Sequence, residues 1–206
     1  MNPLTLFSIG HSTHEAEKFV SLLKAAQIEV VVDVRSVPSS QFSPQFHHVP
    51  LKASLSSNGL KYLFLGKELG GRPEGAEFYD SDGRVFYGKF AKTELFRSGI
   101  DRLKRGLEKH RVAIMCSEED PTNCHRRLLV GRVLKAEGIN LVHIRRDGSL
   151  QSEDQVAAAD PKEAQRRQIG LFVSNEDSEW KSIPSVLRKR QPSGSSSPYD
   201  EAEYSS

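Results

Sequence analysis

The sequence predicts an α/β protein: a single domain with a mostly parallel sheet flanked by helices, followed by a disordered C-terminal tail. Three observations support this. Short apolar runs alternate with segments of helical periodicity, as in strand–helix–strand units with right-handed crossovers. The run at residues 29–34 is mostly valine, which is typical of a strand buried on both faces. The last residues are rich in serine, proline and glycine and then acidic, a composition that indicates disorder.

Five strands are predicted, because each is an apolar run of strand length bounded by turn residues. They cover residues 4–9, 29–34, 60–65, 112–116 and 141–144. Helical patterns between them predict helices at residues 15–26, 51–58, 90–110 and 123–137. Thr13 is the expected N-cap of the first helix. The third helix is expected to break at residues 98–99, and Gly138 is the expected C-terminal cap of the fourth helix.

The predicted domain spans residues 1–147. A partly helical extension follows at residues 148–190, with a polar helix expected at residues 157–167, and residues 191–206 are the predicted disordered tail. Within the domain, residues 66–88 form a long loop rich in glycine. Loops of this length inside a compact domain are usually functional.

The composition suits a protein of the reducing cytoplasm. The chain has 206 residues, and its net charge of +2 does not by itself indicate a polyanionic partner. Two cysteines in this length argue against a disulfide scaffold. The sequence shows neither a signal-peptide pattern nor an apolar run of about 18 residues, the length that would span a membrane. We therefore expect a cytoplasmic location, free thiols and no membrane partner.

Residues 115–127 hold both cysteines and are the most informative stretch of the chain. Cys116 ends a predicted buried strand, and Cys124 begins a predicted helix beside His125 and Arg126. The unpaired N–H groups and partial positive charge of a helix start favour anions and lower the pKa of a nearby thiol. Cys124 is therefore the predicted reactive thiol, whereas Cys116 is equally well explained as a small core residue.

Polar residues follow three of the predicted strands. Ligands of an open parallel sheet bind outside the carboxyl ends of its strands, so these residues are expected to share one site. They are His11 and Ser12, Asp33 and Arg35, and Cys116 and Glu118. His11, Asp33 and Glu118 are the candidate acids or bases beside the thiols. Asp33 and Arg35 point to the same face of an extended chain, so a structural ion pair is equally expected.

A second cluster lies in the glycine-rich loop. Gly70 and Gly71 would let the backbone approach a ligand closely, and Arg72 would add a positive charge, although a flexible turn is an equally good interpretation. Aromatic residues flank this region, and we expect them in the core more often than stacked on a base. They are Tyr62, Phe64, Tyr79, Phe86 and Tyr87.

The absence of several known motifs excludes the chemistries that they indicate. The chain lacks a P-loop, a dinucleotide-binding fingerprint, a Gly-x-Ser-x-Gly elbow and a Cys-x-x-Cys pair. No cofactor is predicted, and zinc is the alternative. Its ligands would be Cys116, Cys124, His125 and His11. The spacing Cys-x7-Cys-His matches no common structural zinc motif.

Four motifs occur in order along the chain: Ser-Ile-Gly-His-Ser-Thr at residues 8–13, Val-Asp-Val-Arg-Ser-Val-Pro-Ser-Ser at 32–40, Leu-Gly-Gly-Arg at 69–72, and Met-Cys-Ser-Glu through Cys-His-Arg at 115–126. With them the chain resembles a bacterial and archaeal family, domain of unknown function 488, over about residues 4–145. The resemblance implies an α/β sandwich in the cytosol and no particular reaction. It implies that the motif residues form the site: His11, Ser12, Asp33, Arg35, Gly70, Arg72, Cys116, Glu118, Cys124, His125 and Arg126.

The leading functional prediction is an enzyme, a thiol-dependent transferase or hydrolase, acting on a nucleotide, nucleic acid or other phosphorylated ligand. Arg35, Arg72 and Arg126 would bind the anionic part, and Cys124 would be the nucleophile. The first alternative is a module that binds nucleic-acid backbone without chemistry, because residues 104–111 and 126–146 are rich in basic side chains. The second alternative is a zinc-dependent hydrolase.

Overall fold

A computed structural model describes residues 3–40, 42–163 and 180–183. Its centre is a six-stranded sheet with the order β3-β2-β4-β1-β5-β6, in which the first five strands pair in parallel and β6 is antiparallel to β5. The strands are β1 (Thr5–Gly10), β2 (Val30–Asp33), β3 (Lys61–Phe64), β4 (Val112–Cys116), β5 (Asn140–Ile144) and β6 (Leu150–Ser152). The predicted α/β class with a mostly parallel sheet is confirmed, and β6 is the strand that the sequence analysis missed.

Helices cover both faces of the sheet. They are α1 (Ala16–Ala25), α2 (His48–Ser57), α3 (Gly66–Leu69), α4 (Tyr87–Ala91), α5 (Glu94–Leu107), α6 (Arg132–Ala136) and α7 (Glu153–Ala159). A π-helical segment, Arg126–Gly131, runs directly into α6, and short 3-10 turns lie at Pro44–Phe46, Ala76–Phe78 and Pro121–Asn123. None of the helices in the described part of the chain has the length and apolar character needed to cross a membrane.

Three predicted helix ends are wrong. The N-cap of α1 is Glu15 rather than Thr13, and no side chain caps this helix. The third predicted helix breaks before Glu94 rather than at residues 98–99, because the hydroxyl of Thr93 caps α5 by accepting a hydrogen bond from the Phe96 N–H. The fourth starts later than expected, since Cys124 itself has extended backbone angles and precedes the π-helical segment.

The chain beyond residue 147 continues the sheet. β6 pairs with β5, and α7 begins with a capping box formed by Ser152 and Gln155. The polar helix predicted at residues 157–167 therefore starts earlier, and α7 ends at Ala159, just before Pro161. Most of the rest of the predicted extension, and the whole predicted tail at residues 191–206, lie outside the described residues.

Alternating side chains of the five parallel strands build two separate cores. On one face, Val112 and Ile114 of β4 pack with residues of α5 and α6. On the other face, Ala113 and Met115 pack with residues of α1 and α2. Because successive strand residues point to opposite faces, Cys116 continues the row of Val112 and Ile114.

The carboxyl ends of β1 and β4 are held together beyond the regular ladder. The N–H of His11 donates to the Cys116 carbonyl at 2.9 Å, and the N–H of Ser12 donates to the Ser117 carbonyl at the same distance. A Cβ at Gly10 would overlap the backbone of Glu118, so only glycine permits this approach. The strand ends that carry the predicted site residues are therefore packed against one another.

The central position of β4 predicts a large loss of stability when its core side chain is shortened. Ile114 is fully buried. We expect Ile114→Ala to lower the free energy of unfolding by about 2–5 kcal/mol, because it removes buried methyl groups and leaves a cavity. Urea denaturation followed by circular dichroism measures the change. Val49→Ala is the control, because Val49 is 67% exposed and an exposed substitution of this kind changes stability by about 0.5 kcal/mol or less. Equal losses in the two variants would contradict the central packing of β4.

Candidate functional site

Two thiols and one imidazole meet at the carboxyl edge of the sheet. The Nδ1 atom of His125 lies 3.6 Å from the Sγ of Cys116 and 3.8 Å from the Sγ of Cys124. The three atoms all lie within 4.8 Å of one another, and all three residues are buried. We call these residues the Cys–Cys–His cluster. Both cysteines are free thiols, as predicted.

The orientation of the His125 ring is set by a neighbouring strand. Its Nε2–H donates to the Val34 carbonyl at 2.8 Å, just beyond the end of β2. Nδ1 is therefore the ring nitrogen that faces the sulfurs. It donates to a thiolate when the ring is protonated and offers a lone pair when the ring is neutral.

The two thiols differ in acidity. The hydrogen bond to Cys124 and then burial raise the pKa of Cys116 well above its ordinary value. Burial raises the pKa of Cys124, but the hydrogen bond from Cys116 and the positive charge of Arg126 outweigh it and leave that pKa well below its ordinary value. His125 lowers the Cys124 pKa further. The pair therefore favours a thiolate on Cys124 with Cys116 as its hydrogen-bond donor.

A pocket of about 350 Å³ opens onto the cluster. Two arginines, three serines, one glutamate and both cysteines are among its lining residues, so charged residues of both signs lie beside the thiols. The lining residues are Arg35, Ser36, Val37, Ser39, Gly71, Arg72, Cys116, Ser117, Glu118, Cys124 and His125. The pocket thus contains seven of the predicted site residues: Arg35, Gly71, Arg72, Cys116, Glu118, Cys124 and His125.

Arg35 is held from behind by a fully buried carboxylate. Its Nε donates to Oδ1 of Asp33 at 2.9 Å and its Nη2 donates to Oδ2 at 2.6 Å. The hydroxyl of Tyr62 donates to the same Oδ2 at 2.8 Å. Asp33 therefore lies beneath the pocket wall rather than in it, and it orients the guanidinium that lines the pocket.

His11 also lies behind Arg35. Its ring stacks on Phe46 with the centroids 4.3 Å apart, and its Nε2 lies 3.3 Å from Nη1 of Arg35. Burial, followed by the positive charge of Arg35, lowers the pKa of His11 to about 4. The imidazole is therefore neutral at pH 7 and accepts a hydrogen bond from Arg35.

Besides Asp33 and His11, three more predicted site residues lie outside the pocket lining. Arg126 is almost fully buried, and its guanidinium donates to the backbone carbonyls of Glu118 and Glu119 and to the hydroxyl of Ser8. Ser12 forms the turn after β1 with a left-handed backbone, φ 45°, and its carbonyl faces the Nδ1 of His11. Gly70 packs against Ser36. Arg126 therefore shapes the loop after β4 and places a charge near Cys124 without facing the cavity.

The glycine motif positions His125 and Arg72. A Cβ on Gly71 would lie 2.7 Å from the His125 ring, so the absence of a side chain there lets the loop pack against the imidazole. The backbone N–H of Arg72 donates to the hydroxyl of Ser36 at 2.9 Å. This bond ties the loop to the segment after β2 and brings the second guanidinium to the pocket.

The sequence analysis missed several pocket residues and one supporting residue. The missed pocket residues are Ser36, Val37 and Ser39; Ser117 follows the predicted Cys116 directly but was given no role. Each is a neighbour of a predicted residue at a strand end, so extending the strand-end rule by a few positions would have found them. Tyr62 was expected in the core or on a base. Its bond to Asp33 joins β3 to β2 and depends on strand pairing that no local pattern reveals.

Tyr87 is a buried aromatic residue, as expected from the sequence, with an unusual hydroxyl. The residue is fully buried, and its hydroxyl has no hydrogen-bond partner among the residues that the structure describes. Burial and then the charges of Cys124 and Cys116 raise the pKa of Tyr87, which places the hydroxyl within electrostatic range of the sulfurs. A buried hydroxyl without a hydrogen-bond partner is energetically unfavourable.

A separate buried network lies on the β5 side of the sheet. The Nδ1 of His143 lies 2.7 Å from the Ser8 hydroxyl, and its Nε2 lies 3.0 Å from a carboxylate oxygen of Glu153. Arg127 pairs with Glu153 and with Asp160. None of these residues lines the pocket that opens onto the cluster. The network attaches α7 to the sheet, and it explains why Arg127 points away from the cysteines.

The fold and the cluster define an α/β protein with a thiol-lined site at the carboxyl edge of its sheet. Residues 15–133, more than half of the chain, match the family model described as Domain of unknown function DUF488. The chain belongs to this family, and the resemblance inferred from the motifs is confirmed. The match begins after the first motif at residues 8–13. No curated protein and no solved structure matches the chain.

The contact between Gly71 and His125 predicts that a methyl group there disturbs the cluster. In Gly71→Ala the new Cβ pushes on the ring, so we expect the His125 proton and nitrogen NMR signals to shift and thiol alkylation to change. Gly106→Ala is the matched control, because a Cβ there meets only Val112 at 3.8 Å. Alanine in place of this helical glycine is expected to stabilise α5 by about 1 kcal/mol or less and to leave His125 unchanged. Equal His125 shifts in both variants would contradict the predicted contact.

The buried Asp33–Arg35 pair predicts a strong effect of removing one partner. Asp33→Ala leaves an uncompensated buried guanidinium, so we expect a loss of about 3–5 kcal/mol in the free energy of unfolding. Asp154→Ala is the control, because it breaks the exposed pair of Asp154 with Lys135, which we expect to be worth about 1 kcal/mol or less. Urea titration measures both variants. A loss for Asp33→Ala as small as that of the control would show that Arg35 is reached by water.

Proposed function

We propose that this protein is an enzyme that acts on a phosphorylated ligand, with a nucleotide as the expected class, at the Cys–Cys–His cluster. The observation that carries the proposal is the position of two guanidinium groups, Arg35 and Arg72, in one pocket with both thiols. Guanidinium groups bind phosphate through paired, charge-assisted hydrogen bonds. A phosphorylated ligand held by them would therefore present its reacting group to the sulfurs.

The pocket is prepared for an anion before any ligand arrives. Asp33 accepts from Nε and Nη2 of Arg35, and His11 accepts from Nη1, so the guanidinium is held in one orientation before a ligand binds. A side chain that is held in place loses little entropy on binding, which raises affinity for a matching anion. His11 is neutral, so it adds no charge of its own beside the Asp33–Arg35 pair.

The thiolate of Cys124 provides the chemistry. It has two uses in such a pocket: it attacks an electrophilic centre directly, or it binds a metal ion that activates water. Both uses require the same sulfur and the same bound anion. In either case, the predicted enzyme class is a transferase or hydrolase that loses activity when Cys124 is replaced.

A module that binds only nucleic-acid backbone is less well supported. Backbone recognition relies on cations at the protein surface, where duplex phosphates reach them. Arg35 is only 3% exposed, Arg126 is bonded to backbone carbonyls, and Arg127 pairs with buried carboxylates. The arginines closest to the cysteines in sequence are therefore occupied inside the protein, which favours a small or terminal phosphate group.

The test measures anion binding and its dependence on Arg72. We expect inorganic phosphate and nucleoside monophosphates to bind, as measured by isothermal titration calorimetry. Arg72→Gln should weaken binding by about 10- to 100-fold, the effect of losing charge-assisted hydrogen bonds worth about 1.5–3 kcal/mol. Arg72 is exposed, so we expect the substitution to leave stability nearly unchanged and the variant to report on binding.

The control is Arg97→Gln, which removes an exposed arginine from α5 that does not line the pocket. It should bind phosphate like the wild type. Equal weakening of phosphate binding in both variants would overturn the proposal. So would a protein that binds duplex DNA tightly, with a steep salt dependence, and does not bind mononucleotides. Release of phosphate from a panel of nucleotides, lost in Cys124→Ser, is the expected sign of enzymatic activity.

A further inference from the structure

Two of the three separations within the Cys–Cys–His cluster match those of ligands around a single metal ion. In a tetrahedral zinc site the zinc–sulfur distance is about 2.3 Å and the zinc–nitrogen distance about 2.0–2.1 Å, so a sulfur and a nitrogen ligand lie about 3.6 Å apart. The observed distances from His125 Nδ1 to the two sulfurs are 3.6 and 3.8 Å. The two sulfurs lie within 4.8 Å of each other, against about 3.8 Å for two sulfur ligands of one tetrahedral zinc ion. An ion bound to all three atoms would therefore draw the sulfurs together.

The surroundings of His125 match those of a metal ligand. Histidines that bind metals usually donate their other ring N–H to a carbonyl or carboxylate, which sets the tautomer and the ring orientation. The Nε2–H of His125 donates to the Val34 carbonyl at 2.8 Å, which leaves the Nδ1 lone pair directed at the sulfurs. The Val34 carbonyl, just beyond β2, thus sets the tautomer of His125 without the help of a side chain.

The charge and the Tyr87 hydroxyl also fit an ion in this position. Two thiolates and one divalent cation sum to zero charge, which suits residues that are 0–7% exposed. The hydroxyl of Tyr87 is buried near the sulfurs and has no partner in the described part of the chain. A water or a thiolate bound to the ion would give that hydroxyl a hydrogen-bond partner.

His11 is not a fourth ligand, which corrects the ligand set expected for a zinc site. Its Nδ1 faces the Ser12 carbonyl at 2.8 Å and its Nε2 faces Arg35. The group of metal-ligating atoms among the described residues contains only Cys116, Cys124 and His125. All three line the pocket, so the side of the cluster without a protein ligand faces the cavity.

From these observations we infer that Cys116, Cys124 and His125 bind one zinc ion, whose fourth position is open to the pocket between Arg35 and Arg72. Three protein ligands with an open position are typical of catalytic zinc, whereas structural zinc has four protein ligands. The inference rests on the proposed function, because it assigns the sulfurs of that site to the metal rather than to direct attack. The fourth position would hold water or an oxygen of the phosphorylated ligand.

The test uses the full chain, reduced and stripped of metal with a chelator, and titrated with Co²⁺ as a spectroscopic probe. We expect one equivalent to bind, with thiolate-to-cobalt absorption in the near ultraviolet and visible bands of a tetrahedral ion. Zn²⁺ should displace the cobalt. Cys116→Ser, Cys124→Ser and His125→Ala should each weaken binding by at least about 100-fold. Absence of the thiolate–cobalt absorption in the wild type would overturn the inference, whatever the folding of the variants.

The control is His110→Ala, because His110 precedes β4 and Cys116 ends it, so the two lie at opposite ends of that strand. Cobalt binding by this variant should equal that of the wild type. Phosphate binding by the metal-free protein separates the two proposals. Phosphate binding without cobalt binding would overturn the metal site and leave the anion pocket. Cobalt binding without phosphate binding, in metal-free or zinc-loaded protein, would support the metal site and overturn the proposed enzyme.

Discussion

One hydrogen bond, from the Nε2–H of His125 to the carbonyl of Val34, connects the two halves of the candidate site. His125 belongs to the segment after β4, and Val34 follows β2. The bond orients Nδ1 toward the sulfurs and keeps the cysteine segment against the strand that carries Asp33 and Arg35. Gly71 completes the arrangement, because the absence of its side chain leaves room for the imidazole.

The pleat of the sheet explains why some site residues line the pocket and others lie beneath it. Cys116 belongs to the face covered by α5 and α6, whereas Asp33 follows Val31 on the face covered by α1 and α2. Side chains from opposite faces do not meet within a sheet. They meet here only beyond the strand ends, where Arg35 enters the pocket of the cysteines and Asp33 stays buried beneath it. The site therefore has side chains that face the pocket and, beneath them, side chains that orient them.

The site combines two polarisable thiols and an imidazole with two arginines in the pocket lining. Sulfur and imidazole suit a metal ion such as zinc, and guanidinium groups suit phosphate. Neither feature alone implies catalysis, because structural cysteines and surface arginines are common. Their convergence on a pocket of about 350 Å³ is the observation on which the proposed function rests. The buried network of His143, Glu153 and Arg127 lies elsewhere and attaches α7 to the sheet.

The sequence by itself determined the fold class, five of the strands and the strand ends that carry the site. This was feasible because buried parallel strands are apolar runs, and because their carboxyl ends share one edge of the sheet. Only the tertiary structure decided which side chains face the cavity. Arg126 looks like an anion ligand in sequence but binds backbone carbonyls, and His11 looks like a metal ligand but accepts from Arg35. Where these two side chains point depends on which face of the sheet each residue occupies, on where the helices begin and on which distant strands pair. Local sequence patterns do not determine this combination.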